Sequence, residues 1–414
     1  MNKKPRYGED ILWQPDAPVW EVVPLAEYIL PSFVGLGSAV KKWTSLQRIF
    51  RRSSETSSSP ARSEAELRAL SQVRLENLAP PINWSLAARA LDMALHDWLR
   101  DEHPEPPVRF FIGQPWCDYA AILRQWAKIH DAALIAPPDP GQILQSDARW
   151  VQLREHHDRL WVMPRLERLF VRHADGLGLV RDFLERATSG SIGRGIIGCD
   201  SWAWAYLQRV WPLAQPDALT MQAFDGEKLT RLFACLAQTE ASEHVQFCNA
   251  KTGNPVLPEC EDIVQGAYTI SRELKQLAAH CRGNPGTAWS YWRHRLRSEP
   301  DVDGSSPIPE DSLGKKGGED VVWLAADLVE PSMPMEADED MAFVLHGLLL
   351  HNGLSADMLA EILPLSRSWI MSLLLRLLRC ELVSRDGQCW HVSALAYATV
   401  REFLRTRDYL TDQF

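Results

Sequence analysis

Between residues 108 and 210, four short apolar runs alternate with stretches of helical period, and this alternation restricts the fold more than any other feature. The runs are Val108–Gly113, 132–136, 160–163 and 195–198. Amphipathic helices are expected at 84–99, at about 118–130, through residue 186, and from 201 onward. Runs that are apolar at nearly every position belong to strands buried on both faces. Parallel strands need long crossovers, which the helices supply. The predicted fold class is α/β, with a parallel sheet flanked by helices. At 414 residues the chain exceeds one ordinary domain, so the sheet accounts for only part of it.

Shifts in composition divide the remainder. Residues 1–80 form an irregular N-terminal segment, with Pro-punctuated apolar pieces and then an Arg- and Ser-rich run at 48–60 of linker composition. The α/β domain is assigned to 81–225 and a helical lid to 226–303. Residues 304–337 read as a second linker, because 304–318 mixes Gly, Pro, Ser and Lys without an apolar period. Limited proteolysis is expected to separate the chain there. From 338 to 414 the pattern gives three helices, a hairpin across Arg385-Asp-Gly-Gln and a closing helix, the order of a winged helix.

Few constellations carry chemistry. Eight Cys occur without CxxC or Cys/His ligand spacing, and Cys117, Cys199, Cys235 and Cys380 read as small core residues of a reducing compartment. His156, His157 and Asp158 lack a third ligand at matching spacing and read as a surface group. Ser201 and Ser366 have no nucleophile-elbow context. Trp202 and Trp204 read as core packing. No apolar run is long enough to span a bilayer, and no apolar stretch follows Lys3 and Lys4, so a cytoplasmic protein is expected. Arg-rich composition, 34 Arg against 10 Lys, reads as GC-rich codon usage and points to a bacterial source.

The turn after the first strand is the informative segment. A phosphate-binding loop reads GxxxxGK[ST]: backbone N–H groups wrap the phosphates, the Lys neutralises them, and the hydroxyl holds Mg²⁺. Registered on Gly113, this chain has Asp118 at the second Gly, Tyr119 at the Lys and Ala120 at the hydroxyl. An acid at the anion site and a missing cation remove the phosphate chemistry.

From about residue 81 to 300 the sequence resembles the AAA/STAND branch of P-loop NTPases, in the origin-recognition type of arrangement that ends in a winged helix. The resemblance implies an acidic pair after the third apolar run; here Pro164 and Arg165 stand there, and Glu167 is the acidic remnant. It implies a polar sensor after the next strand, matched by Asp200 or Ser201. It implies a GxP turn and a phosphate-reading Arg in the lid; Gly283-Asn-Pro-Gly286 keeps the turn and loses that Arg, with Arg282, Arg293 and Arg295 nearby. Without Lys, Mg²⁺ ligands or a water-activating acid, the electrostatic basis of phosphoryl transfer is gone.

The expected function is that of a pseudo-ATPase: a catalytically inactive scaffold or regulatory adaptor acting through protein–protein contacts, without a cofactor or metal. Its partners are unidentified proteins or further copies of the chain. A second reading is a DNA-binding regulator that uses the winged helix, with Arg367, Ser368, Met371, Arg379 and Arg385 as DNA or partner contacts. A third is an unorthodox ATPase completed by residues supplied in trans. The net charge of −10, and the seven Arg against seven acidic residues over 341–414, argue against DNA binding by bulk charge.

Overall fold

The computed structural model describes Leu12 and residues 18–31, 62–63, 66–144, 159–212, 216–237, 245–299, 320–325 and 330–414. In chain order its strands are β1 (Val22–Pro24), β2 (Arg68–Ala69), β3 (Val108–Gly113), β4 (Ala133–Leu134), β5 (Trp161–Met163), β6 (Gly195–Asp200), β7 (Ala218–Met221), β8 (Val245–Asn249), β9 (Leu296–Ser298), β10 (Asp320–Leu324), β11 (Leu354–Ser355), β12 (Val383–Asp386) and β13 (Cys389–Val392). The main sheet runs β1-β7-β3-β6-β5-β4. Its strands β3 to β7 are parallel, and β1 closes one edge antiparallel to β7, so the sheet is mixed.

The chain leaves β3 toward β4 at the far edge, then steps back through β5 and β6 and passes over β3 to reach β7. Right-handed crossovers in opposite directions put their helices on opposite faces. Helix Tyr119–Ile129, which follows β3, shares one core with Phe111, Val162 and Ile196. Helices Gly178–Thr188 and Ser201–Val210 share the other with Phe110, Ile112, Trp161, Met163 and Ile197. Alternate residues of each strand thus serve opposite layers. The order of strands across the sheet switches sense at β3, and in open α/β sheets the crevice beyond the carboxyl end of such a strand is where ligands bind.

Three expectations change. The expected helix at 84–99 is two helices, Ser85–Ala94 and His96–Arg100, separated at Leu95. The region read as a purely helical lid contributes β8 and β9 to a second sheet, β2-β9-β10-β8, in which β8 and β10 are parallel. Its strand β10 lies inside 304–337, the stretch read as linker; Val322 and Leu324 are buried there, so an apolar pentapeptide beside a polar run is a strand. Residues 304–318, 156–158 and the Arg-rich run at 48–60 lie outside the described residues.

The N-terminal segment contributes to the core. Trp20 is buried edge-on to Trp84 and Phe224, with ring centroids 5.4 and 5.1 Å away. At the other end, helices Glu339–Leu350, Ala356–Ile362 and Arg367–Arg379 pack with the small antiparallel sheet β11-β13-β12 and the helix Tyr397–Arg405. Trp202, from the main-sheet helix Ser201–Val210, is buried in the core of this module and donates to the Tyr397 hydroxyl at 2.9 Å. Among the described residues no helix is long and apolar enough to cross a membrane.

Because β10 pairs with β8 on one side and β9 on the other, nicking within 304–318 is expected to leave two fragments that stay associated. Native mass measurement after limited proteolysis checks this; fragments that separate without denaturant would contradict the pairing.

Candidate functional site

Gly113 ends β3 opposite Asp200, the last residue of β6. The backbone then turns through Trp116 and Asp118, both left-handed with φ of 70° and 39°. A left-handed residue at the second Gly position is required by the turn, and Asp tolerates it better than most residues. The Asp118 carboxylate is exposed and accepts from the Ala121 N–H at 3.2 Å, capping the helix Tyr119–Ile129. Its charge therefore serves the helix N-terminus instead of facing an anion site. Ala120 is buried in the helix against the core.

Tyr119 points inward. Its ring lies against Gly113 so closely that a Cβ there would overlap it. Its hydroxyl donates to Glu167 Oε1 at 2.5 Å, and Glu167 Oε2 accepts from the Asp200 N–H at 3.3 Å. Asp200 Oδ1 caps the next helix through the Trp202 N–H at 2.9 Å. Both carboxyl groups and the Tyr119 ring are fully or almost fully buried, and Asp200 Oδ2 has no hydrogen-bond partner among the described residues. Burial, reinforced by the Glu167 charge, pushes the Asp200 carboxyl well above its usual range. Burial likewise raises Glu167, although the Tyr119 hydrogen bond and Arg165 oppose it. The Tyr119 hydroxyl is raised by burial and by Glu167. Pro164 lends its backbone to the close packing against Gly198, and Arg165 precedes the short helical turn Leu166–Arg168 that delivers Glu167.

The Gly283–Gly286 turn of the region read as a lid packs on this turn. Asn284 is fully buried; its Nδ2 donates to the Pro115 carbonyl at 2.7 Å, and its Oδ1 accepts from the Thr287 N–H at 2.9 Å. Gly286 sits against the Trp116 carbonyl, a contact only glycine permits. Gly283 has φ of +75° and accepts from the Phe224 N–H at 2.9 Å. The nearby guanidinium groups turn away from the turn: Arg293 to Ala79 and Glu76, Arg295 to Ala325, Arg282 to Phe414. Cys117, buried beneath the lid, has its thiol pushed up to about 12 by burial.

What is left between the strand end and the turn is a cavity of about 10 Å³ bordered by Gly113, Gln114, Cys117, Tyr119 and Thr220. That is the volume of one water. The Tyr119 ring fills the space beside Gly113, and the Glu167 and Asp200 carboxyls lie near its hydroxyl. Among the described residues no group of His, Cys, Asp and Glu is arranged to hold a metal.

The surface residues of the C-terminal module are largely engaged. Arg367 pairs with Asp357, and Arg376 with Glu336 at 2.5 Å. Arg385 lies over the Trp390 ring and donates to the Gly387 carbonyl at 2.9 Å. Ser368 and Arg379 are exposed. Met371 is half-buried against the module core, so the exposed apolar residues of this helix are Trp369, Leu375 and Leu378, and the Trp369 indole donates to Asp340 at 2.8 Å.

Sequence reasoning named Tyr119, Glu167 and Asp200 separately; the structure brings them into one hydrogen-bonded chain. It did not reach Tyr28 or the residues 409–414, which carry no periodic signal yet pack beside the site. No protein-family model matches the chain, and no curated protein matches it significantly.

A carboxyl held above its usual value of 3.8 binds its proton more tightly in the folded chain than in the unfolded one. Its stabilising contribution is full below that value and is lost as pH rises through the folded value. Asp200→Asn keeps the Oδ1 cap and removes the titration. The stability of the variant relative to the wild type should therefore increase from about pH 4 to about pH 7 in urea denaturation. A difference that does not change with pH would contradict a raised Asp200.

Proposed function

We propose that this chain is a catalytically inactive protein of AAA/STAND-like descent that works as a scaffold or regulatory adaptor, presenting surfaces to protein partners. The observation that carries the reading is the Tyr119 hydroxyl seated on Glu167 in the place where the resemblance puts a lysine and phosphate. The protein's own side chain fills the cradle, and Asn284 holds the lid to the turn through the Pro115 carbonyl. The position of this turn, at the strand where the order of strands switches sense, supports descent from a phosphate-binding arrangement. The order of three helices and a hairpin in 338–414 supports the winged-helix reading of that module.

Isothermal calorimetry tests the reading directly. Heats from ATP titrated into the protein should be at background up to about 1 mM, and Mg²⁺ should not change them. Micromolar, Mg²⁺-dependent binding would overturn it. The ATPase reading needs phosphate release above background, and Arg293 and Arg295 give it no support, since their donors go to Ala79 and Ala325.

DNA reading by the module is disfavoured because Arg367 is paired with Asp357 and the exposed helix face carries Leu375 and Leu378. Random duplex should therefore give no mobility shift at physiological salt, with or without the changes Arg367→Ala and Arg385→Ala. A submicromolar shift whose log–log salt slope falls by about two units in the double variant would favour DNA binding.

A further inference from the structure

Residues 409–414 run through the junction of the main sheet, the lid and the C-terminal module. Asp412, 4% exposed, accepts from the Ser201 hydroxyl at 2.6 Å, from the Tyr397 hydroxyl at 3.3 Å and from Arg401 Nε at 3.1 Å. Arg401 also donates to the Asp412 carbonyl at 2.8 Å. Two residues on, Phe414 is 2% exposed, and its ring meets Tyr28 edge-on at 4.8 Å. Its carbonyl accepts from Arg282 Nε at 2.7 Å, immediately before the Gly283–Gly286 turn of the lid. Tyr28 in turn accepts from Gln114 Nε2 at 2.7 Å, at the start of the turn after β3.

The contacts join the segment to several bodies. Ser201 begins a main-sheet helix, Tyr397 and Arg401 belong to the module, Arg282 belongs to the lid, and Tyr28 follows the edge strand β1. A carboxylate with three side-chain donors and a buried aromatic ring set edge-on against Tyr28 are the two anchors of a peptide site. Beside the segment a cavity of about 540 Å³, bordered by Tyr28, Trp204 and Gln413, opens to solvent, so release of the segment withdraws Phe414 from the edge of one core layer.

We propose that this junction is a peptide-binding site for an Asp-X-aromatic sequence, occupied by the chain's own Asp412 and Phe414, and that its occupancy fastens the lid and the module to the sheet. The site is independent of whether the turn after β3 binds nucleotide, since none of its anchors belongs to Tyr119, Glu167 or Asp200. Exchange of the segment for a partner's sequence of the same chemistry would release the lid from the module.

A chain ending at Asp408, titrated with the synthetic peptide Tyr-Leu-Thr-Asp-Gln-Phe, tests the site. Calorimetry should give binding in the micromolar range, at least about a hundredfold tighter than to the full chain, whose site is filled. The peptide with Asn for Asp should bind about tenfold or more weakly, the loss of charge-assisted hydrogen bonds. No binding to a folded shortened chain, or equal binding of the Asn peptide, overturns the proposal. Should the shortened chain not fold, full-length Asp412→Ala decides by hydrogen exchange. Loss of protection in both 409–414 and the lid turn near Arg282 is expected. Loss confined to 409–414 overturns the proposal.

Discussion

The hydrogen bond from the Tyr119 hydroxyl to the Glu167 carboxylate is the contact on which this architecture turns. A carboxyl group removed from water without partners costs several kcal/mol, far more than one contact ordinarily contributes. Glu167 meets that cost with two donors, the Tyr119 hydroxyl and the Asp200 amide. They come from the helix after β3 and the end of β6, while Glu167 follows β5. The three strand ends are thereby fixed relative to one another. The same requirement explains the surrounding sequence: Gly113 leaves room for the ring, and left-handed Asp118 sends Tyr119 inward while capping its helix. The lid then has a filled surface to close on.

The parallel strands were legible because burial on both faces demands apolar residues at nearly every position, as in Val108–Gly113 and Trp161–Met163. What escaped was short or sat beside polar sequence. Strand β7, Ala-Leu-Thr-Met, has too few residues to carry a period, and its Thr220 is satisfied only in three dimensions, by the Ile112 carbonyl at 2.8 Å. Strand β9 continues without a break from the helix Pro285–Arg295. At the site, spacing on Gly113 identified Asp118 and Tyr119 as the departures from a phosphate loop. Spacing gives neighbours along the chain, and it does not give side-chain direction. That Tyr119 reaches Glu167, 48 residues away, follows only from the parallel pairing of β5 and β6 next to β3.

The abundance of arginine also acquires a structural meaning that composition does not supply. Arg168 donates to the Asn352 carbonyl, Arg194 to Trp98 and Asp101, Arg282 to Phe414, Arg293 to Ala79 and Arg295 to Ala325. A guanidinium carries five donors in a rigid fork and stays charged when partly buried, so it can satisfy carbonyls where helices and strands end. Lysine, with a compact and strongly hydrated head, does this less well. Arg282, Arg293 and Arg295 lie near the expected phosphate position in sequence, yet their donors are used to join the lid, the N-terminal helices and the second sheet. These three cations act as fasteners between bodies.

The contact between the main sheet and the C-terminal module extends this logic to protonation. His351 accepts the Arg172 N–H on Nε2 at 3.3 Å, and its Nδ1 faces the Glu167 carbonyl at 3.5 Å. His346 Nδ1 faces an Arg172 guanidinium nitrogen at 3.3 Å, and its Nε2 faces the Leu410 carbonyl at 3.2 Å. Each ring needs one donor and one acceptor nitrogen, which is the neutral form. Burial accordingly pulls His351 down to about 3 and His346 down to about 4, from an ordinary 6.5. Acidification below 6.5 protonates these rings in the unfolded chain before the folded one, so their contribution falls as pH falls. The buried acids Glu167 and Asp200 act in the opposite sense, since their raised values favour the folded chain as pH falls. Between about 4.5 and 6.5 the two effects oppose each other across the same peptide, for the Glu167 carbonyl faces His351 while its carboxyl receives Tyr119. A seam built from neutral histidines on one side and proton-retaining acids on the other resists both directions of titration, which suits a junction that must hold several bodies together.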